Sequence, residues 1–290
     1  MAPQGTMMKH RERVLGLLLA GLLVPLAQAA DNAAPLRFQP APGVQVQATA
    51  QPNGRIAVRG LPAGVQQLAP PEDADGTVRL SAEDVDFDGR PELVARVPVG
   101  MVNEAVVVYR FDAATGRFAP LPFADHGQSQ CGGPMGLTLD AAQRVAGSSC
   151  RSGPMWYVDL YRPDGTRMVL YRAERLLYLG DALATALQLD AVENEGPLAV
   201  WSTYSATGTV EEHAINDGLS TPAHGQPLRA LGAAVVPARL LLFDRPGAAS
   251  TQRYLLRGDR VELLDEHDGW VQVRYRNAKR GAVLGWINVN

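Results

Sequence analysis

The chain is 290 residues long, 46% hydrophobic and 20% charged, with a formal net charge of −3 at pH 7. That mild acidity argues against a nucleic-acid partner, which calls for a basic face. The length suits one large β domain or two unequal ones. Arginine far outnumbers lysine, which together with plentiful Ala, Gly and Pro reflects codon usage more than function.

Lys9, Arg11 and Arg13 precede an apolar stretch from Val14 to Leu26, and Ala27-Gln28-Ala29 supplies small residues for cleavage after Ala29. Residues 1–29 therefore read as a signal peptide, and the chain is expected in the periplasm or secreted. The apolar run is short and is interrupted by Pro25, so no stable membrane span is expected. No cysteine follows the cleavage site, which leaves a lipid anchor unsupported. Export places Cys131 and Cys150 in an oxidising compartment.

Short alternating runs separated by Gly, Pro, Asp and Asn dominate the rest of the chain, and long helical patterns are scarce. From Ala30 to Pro71 a proline- and glutamine-rich leader gives way to strands at Val44–Gln47 and Arg55–Val58. Strands follow at Val78–Leu80, Leu93–Pro98 and Glu104–Phe111, then a turn at Asp112–Gly116 and a return at Arg117-Phe118. They make a small antiparallel sheet with an acidic loop at one end.

That loop is Asp84-Val85-Asp86-Phe87-Asp88-Gly89-Arg90-Pro91-Glu92. Odd positions of such a loop converge on one point, and an oxygen-only donor set suits a hard cation, with Ca²⁺ the first candidate. Asp84, Asp86 and Asp88 would supply carboxylates, Arg90 its backbone carbonyl, and Glu92 the ninth-position ligand, directly or through water. Gly89 stands where the chain must turn sharply. Ala95 occupies the twelfth position, where an EF-hand has its glutamate, and Pro91 disfavours a helix, so the loop joins strands. The alternative is a solvated acidic turn, against which stands the repulsion of three close carboxylates that a metal removes. A bound metal would staple the loop; no open catalytic coordination position is evident.

A second unit runs through Gly136–Leu139, Arg144–Ser148, Met155–Arg162 and Met168–Tyr171. Cys131 and Cys150 flank its first hairpin, and an intramolecular disulfide between them would contribute on the order of 3 kcal/mol. No CxxC pair or neighbouring histidine pattern suggests metal ligation. A third unit comprises Ala186–Asp190, Leu198–Thr209 and Val210–Ile215. Repeated small sheets that cannot bury a core alone suggest a β-propeller-like or multi-sheet β domain, with a β-sandwich as the alternative.

A polar connector, Asn216 to Pro227, leads to a different texture. Leu255-Leu256-Arg257-Gly258-Asp259-Arg260-Val261, Asp268-Gly269-Trp270-Val271-Gln272-Val273-Arg274-Tyr275 and Gly285-Trp286 follow one another. This order resembles a bacterial SH3-like barrel over about 55 residues. The organisation expected is thus 1–29 signal peptide, 30–231 calcium-binding propeller-like β domain, and 232–290 SH3-like domain: all-β throughout. Val261, Leu263, Val271 and Val273 alternate toward a small core, and Trp270 and Trp286 either pack on it or line a groove. The resemblance implies binding of peptidoglycan or other proteins.

The catalytic inventory is thin. His126, His213, His224 and His267 lack zinc spacing, there is no Gly-x-Ser-x-Gly elbow, and neither cysteine sits beside a base. Glu211 and Glu212 are adjacent strand residues that point to opposite faces. An enzyme is not expected.

Cys150-Arg151-Ser152-Gly153-Pro154-Met155-Trp156-Tyr157-Val158-Asp159-Leu160-Tyr161, preceded by the Asp-x-Asp-x-Asp-Gly loop and Cys131-Gly132-Gly133, resembles an exported proteobacterial propeller-like family. Its known members bind calcium and act as immunity proteins against lysozyme-like effectors of a bacterial-killing type IV secretion system. The resemblance, carried by motif order over Ala30–Leu231, implies a lysozyme-like glycoside hydrolase as partner and an inhibitory loop that enters its cleft. Trp156, Tyr157, Tyr161 and Tyr171 are the candidates to meet that partner; packing between sheets is the competing role for each. A cell-wall binding module resting on the C-terminal domain, and an enzyme of unrecognised type, are the other two readings.

Overall fold

The computed structural model describes residues 34–72, 76–177, 179–192 and 196–289, and the expected signal peptide lies outside them. Strands account for 54% of the chain and helix for 2%, so the protein is all-β. The first sheet takes its strands in sequence order: Leu36–Ala41 (β1), Val44–Ala50 (β2), Ile56–Arg59 (β3) and Gln66–Leu68 (β4). Val46 and Ala48 turn inward from β2 while Gln45 stays exposed, the alternation of a half-buried strand.

The second sheet is Arg79–Glu83 (β5), Glu92–Val99 (β6), Asn103–Asp112 (β7) and Arg117–Pro120 (β8), also in order. Both its faces are covered. Leu93, Ala95 and Val97 pack with Val46, Ala48, Ile56 and Val58 of the first sheet. Val94, Val106 and Val108 instead pack with Ala146, Tyr161, Met168 and Leu170 of the third. Burial on two faces explains why Leu93-Val94-Ala95 and Val106-Val107-Val108 are unbroken apolar runs instead of alternating ones.

The third sheet holds Phe123–Ala124 (β9), Thr138–Asp140 (β10), Val145–Ser152 (β11), Met155–Asp164 (β12), Arg167–Leu176 (β13), Leu198–Tyr204 (β15) and Val210–Asp217 (β16). Its order is β10-β11-β12-β13-β15-β16, with β9 parallel to the start of β13. The second sequence unit and the Leu198–Ile215 part of the third are therefore one sheet, not two, while Ala186–Asp190 goes elsewhere. On its far face Val145, Leu160, Tyr171, Ala199 and Trp201 form a core closed by Leu228, just after the connector.

A short helix, Gly180–Ala186 (α1), leads into Leu187–Leu189 (β14). With Gly232–Val235 (β17), Arg260–His267 (β20), Trp270–Asn277 (β21) and Gly281–Asn288 (β22), β14 makes a five-stranded sheet ordered β14-β17-β20-β21-β22. Arg239–Leu241 (β18) and Tyr254–Leu256 (β19) form a separate ribbon, linked to β22 by a Phe243–Trp286 bridge. The sheet bearing the SH3-like sequence thus draws its first strand from well before residue 232. Val261, Leu263, Val271 and Val273 are all buried, in one core with Leu187, Val200 and Ile215. Trp270 and Trp286 are half-buried, Trp270 meeting Phe243 edge-on at 5.1 Å. Among the described residues no sheet closes into a barrel, and no helix is long and apolar enough to cross a membrane.

Candidate metal loop and its surroundings

Residues 84–91 connect β5 to β6. Val85 is fully buried between the second and third sheets, with Phe87 packed beside it. The intervening aspartates turn to a common point: oxygens of Asp84, Asp86 and Asp88 all lie within 4.8 Å of one another. Backbone N–H groups wrap the cluster. Gly89 donates to Asp84 Oδ2 at 3.0 Å, Asp88 to Asp86 Oδ1 at 3.2 Å, and Arg90 to Asp88 Oδ1 at 2.9 Å. Gly89 has φ +86° with open space where a Cβ would stand, so the turn demands glycine for its dihedral and not for room. Phe87 has φ +56°, a left-handed conformation costing about 1–2 kcal/mol in an L-residue. Core packing of its ring and an Arg144 guanidinium donating to its carbonyl at 3.2 Å hold it there. The loop is therefore docked onto the third sheet, not hung from the second.

Electrostatics are strained at this point. Asp86 is buried, and burial, then the neighbouring charge of Asp88, push its carboxyl above the usual range. Arg110 of β7 opposes this, its Nε 2.9 Å from Asp86 Oδ2 and its Nη2 3.3 Å from Asp88 Oδ2. Asp84 Oδ1 is buried with no hydrogen-bond partner. Three converging carboxylates with one orphaned oxygen fit a hard cation, and the cluster can hold a metal ion.

The Glu92 carboxylate is not part of this group. Glu92 is turned inward and buried, its Oε2 accepting from the Val85 N–H at 2.8 Å. Burial first, and the charge of Asp86 second, push its carboxyl up to about 8. Arg90, whose backbone carbonyl was the expected donor, is exposed, and its N–H donates to Asp88 Oδ1. The structure thus brings together three of the four carboxylates read from the sequence.

Cys131 and Cys150 are joined in a disulfide, Cα–Cα 5.6 Å. The segment leading to it is anchored by a residue the sequence did not flag. Asp159 is fully buried and accepts from Ser129 Oγ at 2.7 Å and from the Gln130 and Cys131 N–H groups at 3.0 Å. Burial raises its pKa in spite of these donors.

Of the four aromatic residues expected to meet a partner, Trp156 is 40% exposed and Tyr157 is half-buried. Tyr161 and Tyr171 are core residues. Tyr161 meets Phe123 edge-on at 5.0 Å, and burial drives its hydroxyl far above the usual range. Tyr171 lies under the Arg162 and Arg172 guanidiniums and against His224. Neither phenol stands at the surface, because each fills a sheet face that needs a large side chain. Buried Arg172 donates to the carbonyls of Pro222 at 2.9 Å and Gln226 at 3.1 Å, pinning the connector across the sheet. Ser202 Oγ and His213 Nδ1 are 2.8 Å apart as registered cross-strand neighbours, which accounts for the contact without a nucleophilic role.

Compared with models of protein families, with curated proteins and with solved structures, the chain matches none of them.

Proposed function

We propose that this chain is an exported, calcium-stapled inhibitor of a lysozyme-like peptidoglycan hydrolase. The observation that carries the reading is the joining of its three sequence signatures in one compact unit. The aspartate cluster is docked onto the sheet whose β11–β12 hairpin bears the disulfide, and the Cys150–Tyr161 motif is that hairpin. Calcium binds at Asp84, Asp86 and Asp88, where it replaces the repulsion of three carboxylates with coordination. Such a scaffold presents preformed loops to a partner at small entropic cost. Lysis of cell walls by the cognate hydrolase, followed by turbidity, tests it: inhibition should saturate near one to one. A hydrolase that is neither bound nor slowed removes the inhibitory role.

A second reading, a cell-wall or protein-binding module, is favoured by the outward face of the β18–β19 ribbon. There Leu241, Tyr254 and Leu256 are exposed and Arg239 lies 4.1 Å from the Tyr254 ring centre. Co-sedimentation with purified peptidoglycan that is lost in Tyr254→Ala separates it from the first.

A further inference from the structure

Exposed apolar side chains gathered on adjoining loops mark a candidate interaction surface. Met101, at the tip of the β6–β7 hairpin, is 99% exposed, and Val102 beside it is 52% exposed. The β11–β12 tip, 152–155, adjoins Trp156, and the Arg151 guanidinium sits over the Trp156 ring at 5.8 Å from its centre. The two tips are locked together. Asn103 Nδ2 donates to the Arg151 carbonyl at 3.0 Å, and the Arg151 N–H donates to Asn103 Oδ1 at 2.8 Å. Just behind them, the Val106 N–H donates to the Pro134 carbonyl and the Gly136 N–H to the Glu104 carbonyl, so β7 is tied to the segment that follows Cys131. The Cys131–Cys150 disulfide fixes that segment to the second hairpin close to its tip, where Cys150 pairs with Tyr157.

We propose that this pair of hairpin tips, carrying Met101, Val102, Trp156 and Arg151, is the surface that enters the partner's cleft. The assignment rests on the inhibitor reading and names the partner's chemistry: a protein cleft with apolar walls and carboxylates at its centre. Tryptophan, arginine and methionine are the residue types enriched where interfaces are buried. Methionine adapts to an irregular wall. The Arg151 cation faces solvent without an ion-pair partner among the described residues, so it complements the acidic groups of a glycosidase cleft. The reciprocal Asn103–Arg151 bonds and the disulfide hold the tips in place beforehand, which lowers the ordering cost of binding.

Calorimetric titration with the lysozyme-like hydrolase, paired with the lysis assay, tests the assignment. Variants are Met101→Ser with Val102→Ser, Trp156→Ala, Arg151→Glu and Arg151→Lys, with Val65→Ser, exposed on a different loop, as the control. The double tip variant removes no buried contact, so its melting temperature should match the wild type. Each of the first three should weaken binding by about 30-fold or more, Arg151→Lys by less, and Val65→Ser should bind as the wild type does. If the wild type binds and inhibits while the tip variants keep full affinity, the surface lies elsewhere and the inhibitor reading survives. If the wild type does not bind, both fall together.

Discussion

Asp86 concentrates the loop's electrostatics in one side chain. It is the buried member of the cluster, it sits between two like charges, and its only cationic partner among the described residues is the half-exposed Arg110. A divalent ion there should relieve a repulsion that one guanidinium only partly offsets. Extracellular calcium modules bind at roughly 10⁻⁴ to 10⁻³ M. A hundredfold excess over Kd adds about 2.7 kcal/mol, or roughly 5–11 °C in Tm for a chain of this size. Melts in calcium and in chelator should differ by that much, and Asp86→Ala should erase the difference. Glu174 makes a second residue-scale case. It is buried, its Oε1 has no partner, and burial, then Asp217, push its carboxyl up to about 7. A raised carboxylate pKa means the native state holds a proton that the unfolded state has already released. Stability therefore falls as pH rises from about 4.5 toward 7, by about 3 kcal/mol at most. Glu174→Gln should flatten that slope and raise Tm at pH 8; identical pH–stability curves would refute the assignment. The aspartates were legible because five consecutive residues set their geometry. Arg110, Asp159, Arg172 and Glu174 were not, because each owes its role to groups on other strands or loops and carries no local pattern.

At the scale of elements, alternation and turn residues revealed most strands, since Gly, Pro and Asp mark the hairpins at 112–116, 140–144 and 164–167. Pairing was harder to read. β13 receives β12 on one side and β15 on the other, so the sequence units fuse, and no hydrophobic period records which edge a strand seeks. The short α1 was also unforeseen, its seven residues being too few to show a helical period. The β11–β12 hairpin is held by two devices: the disulfide and the carboxylate of Asp159 beneath the Ser129–Cys131 segment. Replacing Cys150 by Ala should lower stability by about 3 kcal/mol, read as a shift in denaturant midpoint. Digestion without reductant should release the two cysteine peptides as one linked species. The connector depends on Arg172 in a similar way. Its guanidinium satisfies carbonyls that are otherwise left without donors, so Arg172→Met should open residues 218–230 to limited proteolysis. Unchanged cleavage kinetics would mean that Leu228 alone holds the segment down.

At the scale of the whole molecule, sequence texture divides the chain near residue 232, whereas packing joins the two parts. The five-stranded sheet begins with β14, and its core takes in Val200 of β15 and Ile215 of β16. The Leu263 N–H donates to the Leu231 carbonyl, and Arg175 of β13 binds Glu266 of β20, Nη1 to Oε2 at 2.7 Å and Nη2 to the carbonyl at 2.6 Å. Contacts of this kind couple unfolding. Removing residues 232–290 would leave β14 without its neighbour and bare Leu187, Val200 and Ile215, each worth about 1.5–3 kcal/mol of burial. Those three side chains alone approach the net stability of an ordinary domain. A fragment ending at Leu231 should therefore be soluble only as a loosely packed species that binds hydrophobic dye and lacks a cooperative melt. The full chain should melt in one transition, with tryptophan fluorescence, dominated by buried Trp201 and half-buried Trp270 and Trp286, coinciding with far-ultraviolet circular dichroism. Two resolved transitions, together with a cooperatively folded fragment, would show that the C-terminal sheet is an independent unit resting on a preformed scaffold.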